Sequence, residues 1–288
     1  MLDSHTVMYG LFGDPVSHSK SPLMQNAAFR AAGLNAAYAA FRVAPADLAR
    51  AVAGLRALGF GGANVTIPHK VAVMDHLDEI EEDARRIGAV NTIVNRGGRL
   101  VGCNTDGIGY ARSLEEETGF RPTGRRILVI GAGGAARGVV FALARGGPEL
   151  VVIANRTVEK AAELASSVRA AGGAGELRAL RPDELAGLRE RFDLIINTTS
   201  VGMHPDTDGM PLDETLLSRL AGGDAIVSDL VYNPRETRLL AAAKRLGLVA
   251  HGGLGMFIHQ GACAFELWTG LPAPLQVMRE TVERELMG

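Results

Sequence analysis

A glycine-rich turn between an apolar strand and a helix constrains the fold of this 288-residue chain more than any other feature. The run Ile127–Ile130 leads directly into Gly131-Ala132-Gly133-Gly134-Ala135-Ala136. The first glycine permits a tight turn, the second lets the backbone approach a pyrophosphate, and Ala136 takes the helix-packing position of a third glycine. A helix over Ala135–Arg145 and a second apolar strand over Leu150–Ala154 complete the context that such a turn requires. The sequence therefore predicts a Rossmann dinucleotide-binding domain.

The end of the second strand of this unit indicates which dinucleotide binds. An NAD site places an acid there, where it accepts a hydrogen bond from the ribose 2′-hydroxyl. This chain has Asn155-Arg156-Thr157 instead, with Lys160 one turn later. The planar guanidinium of Arg156 suits a 2′-phosphate, which a carboxylate would repel. We expect NADP as the cofactor.

The rest of the chain alternates short apolar runs with helical stretches, which is typical of an α/β protein. Its length allows two domains. We predict further strands at Val7–Phe12, Ala37–Val43, Ala63–Ile67, Ala89–Asn95, Leu100–Gly102, Asp193–Asn197 and Ala225–Leu230, with the fourth and fifth joined at Gly97-Gly98. We predict helices at Leu23–Ala32 after Pro22, Pro45–Leu58, Asp78–Ile87, Val158–Ala171, Glu236–Leu246 and Gln260–Thr269.

These elements predict two domains with a cleft between them: an N-terminal three-layer α/β substrate domain and a Rossmann NADP-binding domain. We place the substrate domain at 1–106 and the Rossmann domain at 107–240. We expect the helices of 241–288 to pack back on the substrate domain.

Composition excludes several classes of function. The net charge of −2 gives no general attraction for nucleic acid or an anionic membrane, and no apolar run is long enough to span one. The two cysteines, Cys103 and Cys263, have no metal-ligand spacing, so we expect no metal site. The first residues lack a basic stretch followed by an apolar one, and we expect no secretory signal and a cytoplasmic protein. The sequence leaves a homodimer open.

Polar residues cluster where the N-terminal strands begin or end. Ser17 and Ser19 follow the first strand, and Asn64, Thr66 and Lys70 surround the third. Asn91 begins a later strand, and Asp106 follows the last one of this group. Strand ends meet at one edge of an open sheet, so these side chains are candidates for a common site. Turn, cap or solvated surface roles remain the alternative for each residue taken alone.

Several strings together resemble the shikimate dehydrogenase family in order and over nearly the whole chain. They are Gly13-Asp14-Pro15-Val16-Ser17-His18-Ser19-Lys20-Ser21-Pro22, Asn64-Val65-Thr66-Ile67-Pro68-His69-Lys70, Gly88-Ala89-Val90-Asn91-Thr92, Asn104-Thr105-Asp106-Gly107, Asn155-Arg156-Thr157, Asn197-Thr198-Thr199-Ser200-Val201-Gly202-Met203 and Gly253-Leu254-Gly255-Met256, followed by Gln260. The resemblance implies NADPH-dependent interconversion of 3-dehydroshikimate and shikimate, in chorismate and aromatic amino acid biosynthesis.

The resemblance also implies roles for the matching residues. Lys70 is expected to transfer the proton, paired with Asp106. The substrate contacts implied are Ser17 and Ser19 for the carboxylate, with Tyr232 as an additional contact. Thr66, Asn91 and Gln260 are implied to hold ring hydroxyls, and Asn64 to line the same pocket. The cofactor contacts implied are Gly131, Ala132, Gly133, Gly134, Ala135, Asn155, Arg156, Thr157, Lys160, Leu230 and Gly253. Leu230 departs from the methionine that some members carry. His18 and His69 are expected at structural or rim positions.

Alternatives remain within and outside this class. A quinate or quinate/shikimate dehydrogenase has the same sites, although Arg156 argues against an NAD preference. An aminoshikimate dehydrogenase would differ in pocket shape. A non-catalytic metabolite sensor would not need both Lys70 and Asp106, and a folate-type dehydrogenase does not explain Ser17 and Ser19.

Overall fold

Two six-stranded sheets organise the chain. The computed structural model describes residues 2–287. The first sheet lies in a unit formed by the residues up to Asp106 together with those from Ile258 onward. The second sheet lies in the unit Gly107–Phe257.

The first sheet is mixed, with the strand order β2-β1-β3-β5-β6-β4. Its strands are β1 (Val7–Gly13), β2 (Ala36–Arg42), β3 (Gly62–Val65), β4 (Glu79–Ile80), β5 (Thr92–Arg96) and β6 (Arg99–Cys103). Only β5 runs antiparallel to its neighbours. Thr92, its first residue, therefore pairs with Asn64 on one side and with Cys103 on the other. The start of β5 and the ends of β3 and β6 share one sheet edge.

Helices in this unit are α1 (Ser21–Ala31), α2 (Leu48–Ala57) and α3 (Glu82–Ile87), with α9 (Leu254–Thr269) and α10 (Leu275–Met287) later in the chain. The helix α1 has a proline in its first turn, as predicted at Pro22. It packs against α10, and Lys20 Nζ lies 2.8 Å from Glu285 Oε1. The core of the unit contains Phe12, Leu55, Ile93 and Leu100.

Several predicted elements differ from the structure. The helix predicted at Gln260–Thr269 begins at Leu254, and the strand predicted at Ala225–Leu230 spans Ala221–Asp229. The helix predicted over Asp78–Ile87 is wrong in its first half, where Glu79–Ile80 form β4 beside β6. A long-range hydrogen bond explains this, because the Asp78 carboxylate accepts from the Leu100 N–H at 2.7 Å. The strand predicted at Ala89–Asn95 begins only at Thr92, since Gly88 ends α3 in the left-handed conformation with φ 70°.

All strands of the second sheet run parallel, in the order β12-β11-β10-β7-β8-β9. They are β7 (Arg126–Ile130), β8 (Leu150–Ala154), β9 (Glu176–Leu180), β10 (Phe192–Asn197), β11 (Ala221–Asp229) and β12 (Val249–His251). The chain proceeds outward from β7 to β9 and then returns to β10 on the other side of β7. This is the doubly wound Rossmann order, whose ligands bind where the direction reverses.

The helices of the second unit are α4 (Asp106–Thr118, entered from the first unit), α5 (Gly134–Arg145), α6 (Val158–Ala170), α7 (Glu214–Leu220) and α8 (Arg238–Arg245). Leu128, Val152, Ile195 and Val227, one from each of four adjacent strands, belong to one buried cluster. Burial on both faces explains why these strands are continuous apolar runs. Across residues 2–287, the helices include none with the length and hydropathy needed to cross a membrane.

Candidate active site

An ion pair between Lys70 and Asp106 lies at the polar edge of the first sheet. Lys70 Nζ is 2.6 Å from Asp106 Oδ2, and the two side chains are 14% and 5% exposed. The Lys70 backbone is fixed because its carbonyl accepts from the Val90 N–H at 2.8 Å. Asp106 is the first residue of α4, where the helix dipole favours a carboxylate. A partly buried ammonium held by a carboxylate is suited to exchange a proton with a ligand oxygen.

Asn91 holds the other oxygen of Asp106. Its Nδ2 donates to Asp106 Oδ1 at 2.9 Å and to Thr105 Oγ1 at 2.9 Å. Its Oδ1 accepts from the Thr105 N–H at 2.8 Å and from Thr92 Oγ1 at 3.0 Å. The Asn91 amide thus has protein partners for both of its polar atoms, and it fixes the position of the Asp106 carboxylate.

Asn64 is likewise held by protein groups on both sides of its amide. Its Oδ1 accepts from the Tyr38 hydroxyl at 2.8 Å. Its Nδ2 donates to Thr92 Oγ1 at 3.1 Å and to the Asn91 carbonyl at 3.2 Å. Asn64 therefore joins β2, β3 and β5 beneath the ion pair.

The hydroxyls of Ser17 and Thr66 are in a different situation. Ser17 is exposed and Thr66 half-buried, and within residues 2–287 neither hydroxyl has a hydrogen-bond partner. Ser19 donates to Ser21 Oγ at 3.2 Å. A Cβ at Gly13 would overlap Thr66 Cγ2, so the close approach of β1 to Thr66 requires glycine there. These hydroxyls are available to a polar ligand.

The two histidines in the motifs occupy contrasting positions. His69 is 1% exposed, and its Nε2 lies 2.7 Å from the Val43 carbonyl oxygen, which is a structural contact. His18 is exposed. A search of the described residues finds no group of three His, Cys, Asp or Glu side chains placed to hold a metal ion.

The glycine turn of the second unit presents backbone groups to a ligand. Gly131 has φ 110°, which disfavours any side chain, and a Cβ there would overlap Thr198 Oγ1. Gly133 precedes α5 without a side-chain cap, and a Cβ there would meet nothing within 4 Å. Among residues 2–287, no side chain therefore caps the first turn of α5. Uncapped N–H groups and the helix dipole at such a position are suited to a pyrophosphate.

The end of β8 carries positive charge without an acid at the ribose position. Arg156 and Lys160 are both exposed, and within the described part of the chain neither is in an ion pair. Asn155 shapes the turn, since its Nδ2 donates to the Thr157 carbonyl at 2.8 Å. Two unpaired cations beside an uncapped helix fit a dinucleotide that bears an additional phosphate.

Asp229, at the end of β11, is a buried residue that the sequence did not single out. Its Oδ1 accepts from Asn197 Nδ2 at 2.9 Å and from the Val231 N–H at 3.0 Å, and its Oδ2 accepts from Thr237 Oγ1 at 2.7 Å. Burial raises the pKa of Asp229 to about 6. The carboxylate fixes the backbone around Leu230. Gly253 packs on that backbone so closely that a Cβ would overlap the Leu230 carbonyl.

A second buried titratable group, His251, lies beside this region. Its Nε2 is 2.9 Å from Ser113 Oγ and its Nδ1 is 2.9 Å from Ser228 Oγ. Burial lowers the pKa of His251 to about 4, so the ring is neutral at pH 7. His251 thereby links α4 to β11 inside the second unit.

The remaining predicted contacts lie in different units. Tyr232 belongs to the second unit and stacks on Phe257, with ring centroids 4.4 Å apart. Gln260 lies on the part of α9 that belongs to the first unit and is half-buried. Sequence reasoning missed Tyr38, Thr92 and Asp229. Thr92 lies inside a motif used above, but Tyr38 has the pattern of an ordinary core aromatic and carries no local signal.

Family models match most of the chain. The models described as shikimate dehydrogenase substrate binding domain, shikimate/quinate 5-dehydrogenase and shikimate 5′-dehydrogenase C-terminal domain match residues 11–93, 114–206 and 253–283.

Whole-chain relatives agree with these models. The shikimate dehydrogenase (NADP(+)) of Geobacillus kaustophilus is 51% identical over 96% of this chain and 97% of its own. The shikimate dehydrogenase (NADP(+)) of Moorella thermoacetica is 52% identical over 98% of this chain and 94% of its own. A crystal structure of a shikimate dehydrogenase in complex with NADP+ is 44% identical, with a TM-score of 0.90 and coverage of 99% of this chain and 98% of that one. These matches confirm the predicted family and the predicted α/β fold with a Rossmann domain.

Proposed function

The chain belongs to the shikimate dehydrogenase family, and we propose that it reversibly reduces 3-dehydroshikimate to shikimate with NADPH, using Lys70 to move the proton. The observation that carries this proposal is the 2.6 Å ion pair of Lys70 with Asp106 at a sheet edge lined with amides and hydroxyls. The reaction is an oxidoreduction at a ring CH–OH group. Its product enters chorismate and aromatic amino acid biosynthesis.

Lys70 supplies the acid–base chemistry. The nicotinamide, when bound, supplies or accepts the hydride at the ring carbon. As the ketone is reduced, negative charge grows on its oxygen, and the Lys70 ammonium stabilises this charge and donates a proton to the oxygen. In the oxidative direction a neutral Lys70 accepts the hydroxyl proton. Asp106 holds Nζ in place through Oδ2 while Asn91 fixes Oδ1.

The remaining polar residues bind and orient the substrate. The hydroxyls of Ser17 and Ser19 hold its carboxylate, and the Thr66 hydroxyl is available to a ring hydroxyl. Asn64, Asn91, Gln260 and Tyr232 complete the set of ring contacts. Because these groups are uncharged, they distinguish the substrate from its analogues by hydrogen-bond geometry. An analogue that lacks a ring hydroxyl leaves a buried polar group of the site without a hydrogen bond and binds more weakly.

The cofactor site fits NADP on three features. Gly131 through Ala135 offer the pyrophosphate an uncapped helix N-terminus and space above Gly133. Arg156, Thr157 and Lys160, with Asn155, hold the 2′-phosphate. Leu230 and Gly253 provide an apolar surface for the nicotinamide.

Neither Cys103 nor Cys263 forms a disulfide, which supports a location in the reducing cytoplasm.

The test is a spectrophotometric assay of the purified chain with shikimate and with quinate, each against NADP and NAD. We expect turnover with shikimate and NADP to exceed every other combination. Rapid turnover of quinate with NAD, and none of shikimate with NADP, would assign a quinate dehydrogenase instead. No turnover in any arm, with shikimate binding retained in calorimetry, would assign a metabolite sensor.

A further inference from the structure

We propose that Tyr38 and Thr92 are positioning residues for the Lys70–Asp106 pair, and that they act through Asn64 and Asn91. The inference rests on the proposed function, because it assigns to two buried residues a part in the same reaction. Neither residue belongs to the substrate or cofactor contacts given above. Tyr38 is 3% exposed and Thr92 is fully buried.

The four residues form one hydrogen-bonded chain that ends on Asp106. The Tyr38 hydroxyl donates to Asn64 Oδ1 at 2.8 Å, and Asn64 Nδ2 donates to Thr92 Oγ1 at 3.1 Å. Thr92 Oγ1 then donates to Asn91 Oδ1 at 3.0 Å, and Asn91 Nδ2 donates to Asp106 Oδ1 at 2.9 Å. Every donor in the chain points toward the carboxylate.

This common direction favours the orientation in which Asn91 Nδ2 meets Asp106, and the Thr105 N–H, which donates to Asn91 Oδ1 at 2.8 Å, favours the same orientation. If the amide were flipped, its oxygen would face the carboxylate oxygen, and two acceptors would repel each other. The Thr92 hydroxyl has one proton, and because it accepts from Asn64 its proton is directed at Asn91 Oδ1. Since all four residues are at most 6% exposed, water does not compensate for a wrong orientation.

The far end of the chain is anchored in the core. The backbone of Tyr38 exchanges two hydrogen bonds with the Asn26 side chain, at 2.8 and 2.9 Å. Its ring packs against Trp268 at a centroid distance of 6.0 Å, and Trp268 Nε1 donates to the Ile93 carbonyl at 2.9 Å. Tyr38 is therefore a fixed point from which the orientation of both amides is set.

The experiment compares four variants that each lose one hydroxyl, together with Thr92→Ser, in the full-length chain with shikimate and saturating NADP. Thr92→Val and Tyr38→Phe each remove one hydroxyl of the hydrogen-bonded chain. Tyr9→Phe is the matched control, because Tyr9 pairs with Tyr38 across β1 and β2, also packs on Trp268, and has a hydroxyl without a hydrogen bond among residues 2–287. Thr269→Val is the second control, since its hydroxyl donates to the Phe265 carbonyl of its own helix, accepts from the Leu271 N–H, and does not belong to the hydrogen-bonded chain that ends on Asp106.

We expect Thr92→Val to lower kcat by about 10-fold and Tyr38→Phe by about 3-fold, with a smaller rise in KM for shikimate, because Asn64 and Asn91 are also proposed to contact the substrate. Both controls should keep the parental kcat. Thr92→Ser should restore most of the activity, because it keeps the hydroxyl and loses only a methyl group. A packing role predicts the reverse order, with Val better tolerated than Ser.

A kcat of Thr92→Val and Tyr38→Phe equal to that of the controls would overturn the proposal, as would a Thr92→Ser variant no better than Thr92→Val. Thermal unfolding identifies any variant that does not fold, and Tyr38→Phe then decides the question. The unaltered chain is assayed in parallel. If it does not turn over shikimate, the proposed function fails, whereas an active parent with unaffected variants refutes only the positioning role.

Discussion

The two sheets build their ligand sites from different parts of the polypeptide. At the edge of the first sheet the site consists of side chains: an ion pair, two amides and several hydroxyls, many of them bonded to one another. At the crevice of the second sheet it consists of backbone N–H groups, and its main requirement is that side chains be absent. The first arrangement is suited to placing a proton and distinguishing hydroxyl positions. The second is suited to a phosphate group that many dinucleotides share, and both roles are proposals.

The difference predicts how each site responds to mutation. A site made of side chains loses function one group at a time, and its losses appear in kcat when the group acts on the transition state. A backbone site loses function when any Cβ is added, and the losses appear in cofactor binding. Three measurements test this contrast.

The largest effect is expected for Lys70→Ala. Removing the group that donates the proton should lower kcat by about 10²–10⁴-fold, with KM for shikimate little changed. Steady-state kinetics on the purified variant measures both quantities, and circular dichroism checks that it is folded. A folded variant with near-normal kcat would show that the ion pair is structural.

A smaller effect is expected for alanine at two glycines of the turn. Gly131→Ala places a Cβ against Thr198 at φ 110° and should both lower the unfolding temperature and raise the KM for NADPH by about 10-fold or more. Gly133→Ala meets no protein atom within 4 Å, so it should raise the KM for NADPH while leaving the unfolding temperature unchanged. Equal NADPH KM values for Gly133→Ala and the parent would mean that the pyrophosphate does not bind there.

The smallest effect is expected in the pH dependence of stability. The pKa of Asp229 in the folded state is about 6, raised from 3.8. Its contribution to the free energy of unfolding is therefore lost as pH rises through 6. The pKa of His251 in the folded state is about 4, lowered from 6.5. Its contribution to the free energy of unfolding is therefore lost as pH falls through 4. Each amounts to about 1–3 kcal/mol, and the two oppose each other between pH 4 and 6.

Urea unfolding at several pH values isolates the two groups. In the parent, the contributions of Asp229 and His251 should nearly cancel, so together they change the free energy of unfolding little between pH 4 and 6. In His251→Gln it should fall as pH rises over this window, and in Asp229→Asn it should rise. Identical slopes in both variants would show that neither group has the shifted pKa described.

The second sheet was predictable because its signals are local. Its strands are apolar on nearly every position, and the turn at Gly131 follows directly in sequence, so the Rossmann fold and the NADP preference were inferred from this region and are confirmed by the comparisons. The short strands β9 and β12 and the helices α4, α7 and α10 were not predicted. They are defined by their packing partners more than by their own sequence.

The first sheet was less accessible, because its arrangement depends on long-range pairing. Nothing local in Glu79–Ile80 indicates a strand that pairs with β6. The two strands joined at Gly97-Gly98 were predicted, but the pairing of β5 with β3 on its other side was not. Lys70 and Asp106 were inferred from family motifs, and their roles remain predictions, as do those of the other site residues. Tyr38 and Thr92 were not singled out from the sequence, because both are linked to the site through Asn64. That residue lies 26 positions from Tyr38 and 28 positions from Thr92.

The hairpin between β5 and β6 has a consequence for the accuracy of the distant ion pair. Its two turn residues, Gly97 and Gly98, have φ 63° and 93°, the pair of positive values that a two-residue turn needs to match the strand twist. This turn sets Arg96 opposite Arg99 and, four pairs later, Thr92 opposite Cys103. One inserted residue would turn Thr92 to the opposite face of the sheet and separate Asn91 from Asp106. Two glycines at the far end of the hairpin thus determine the strand register on which the proposed proton transfer depends.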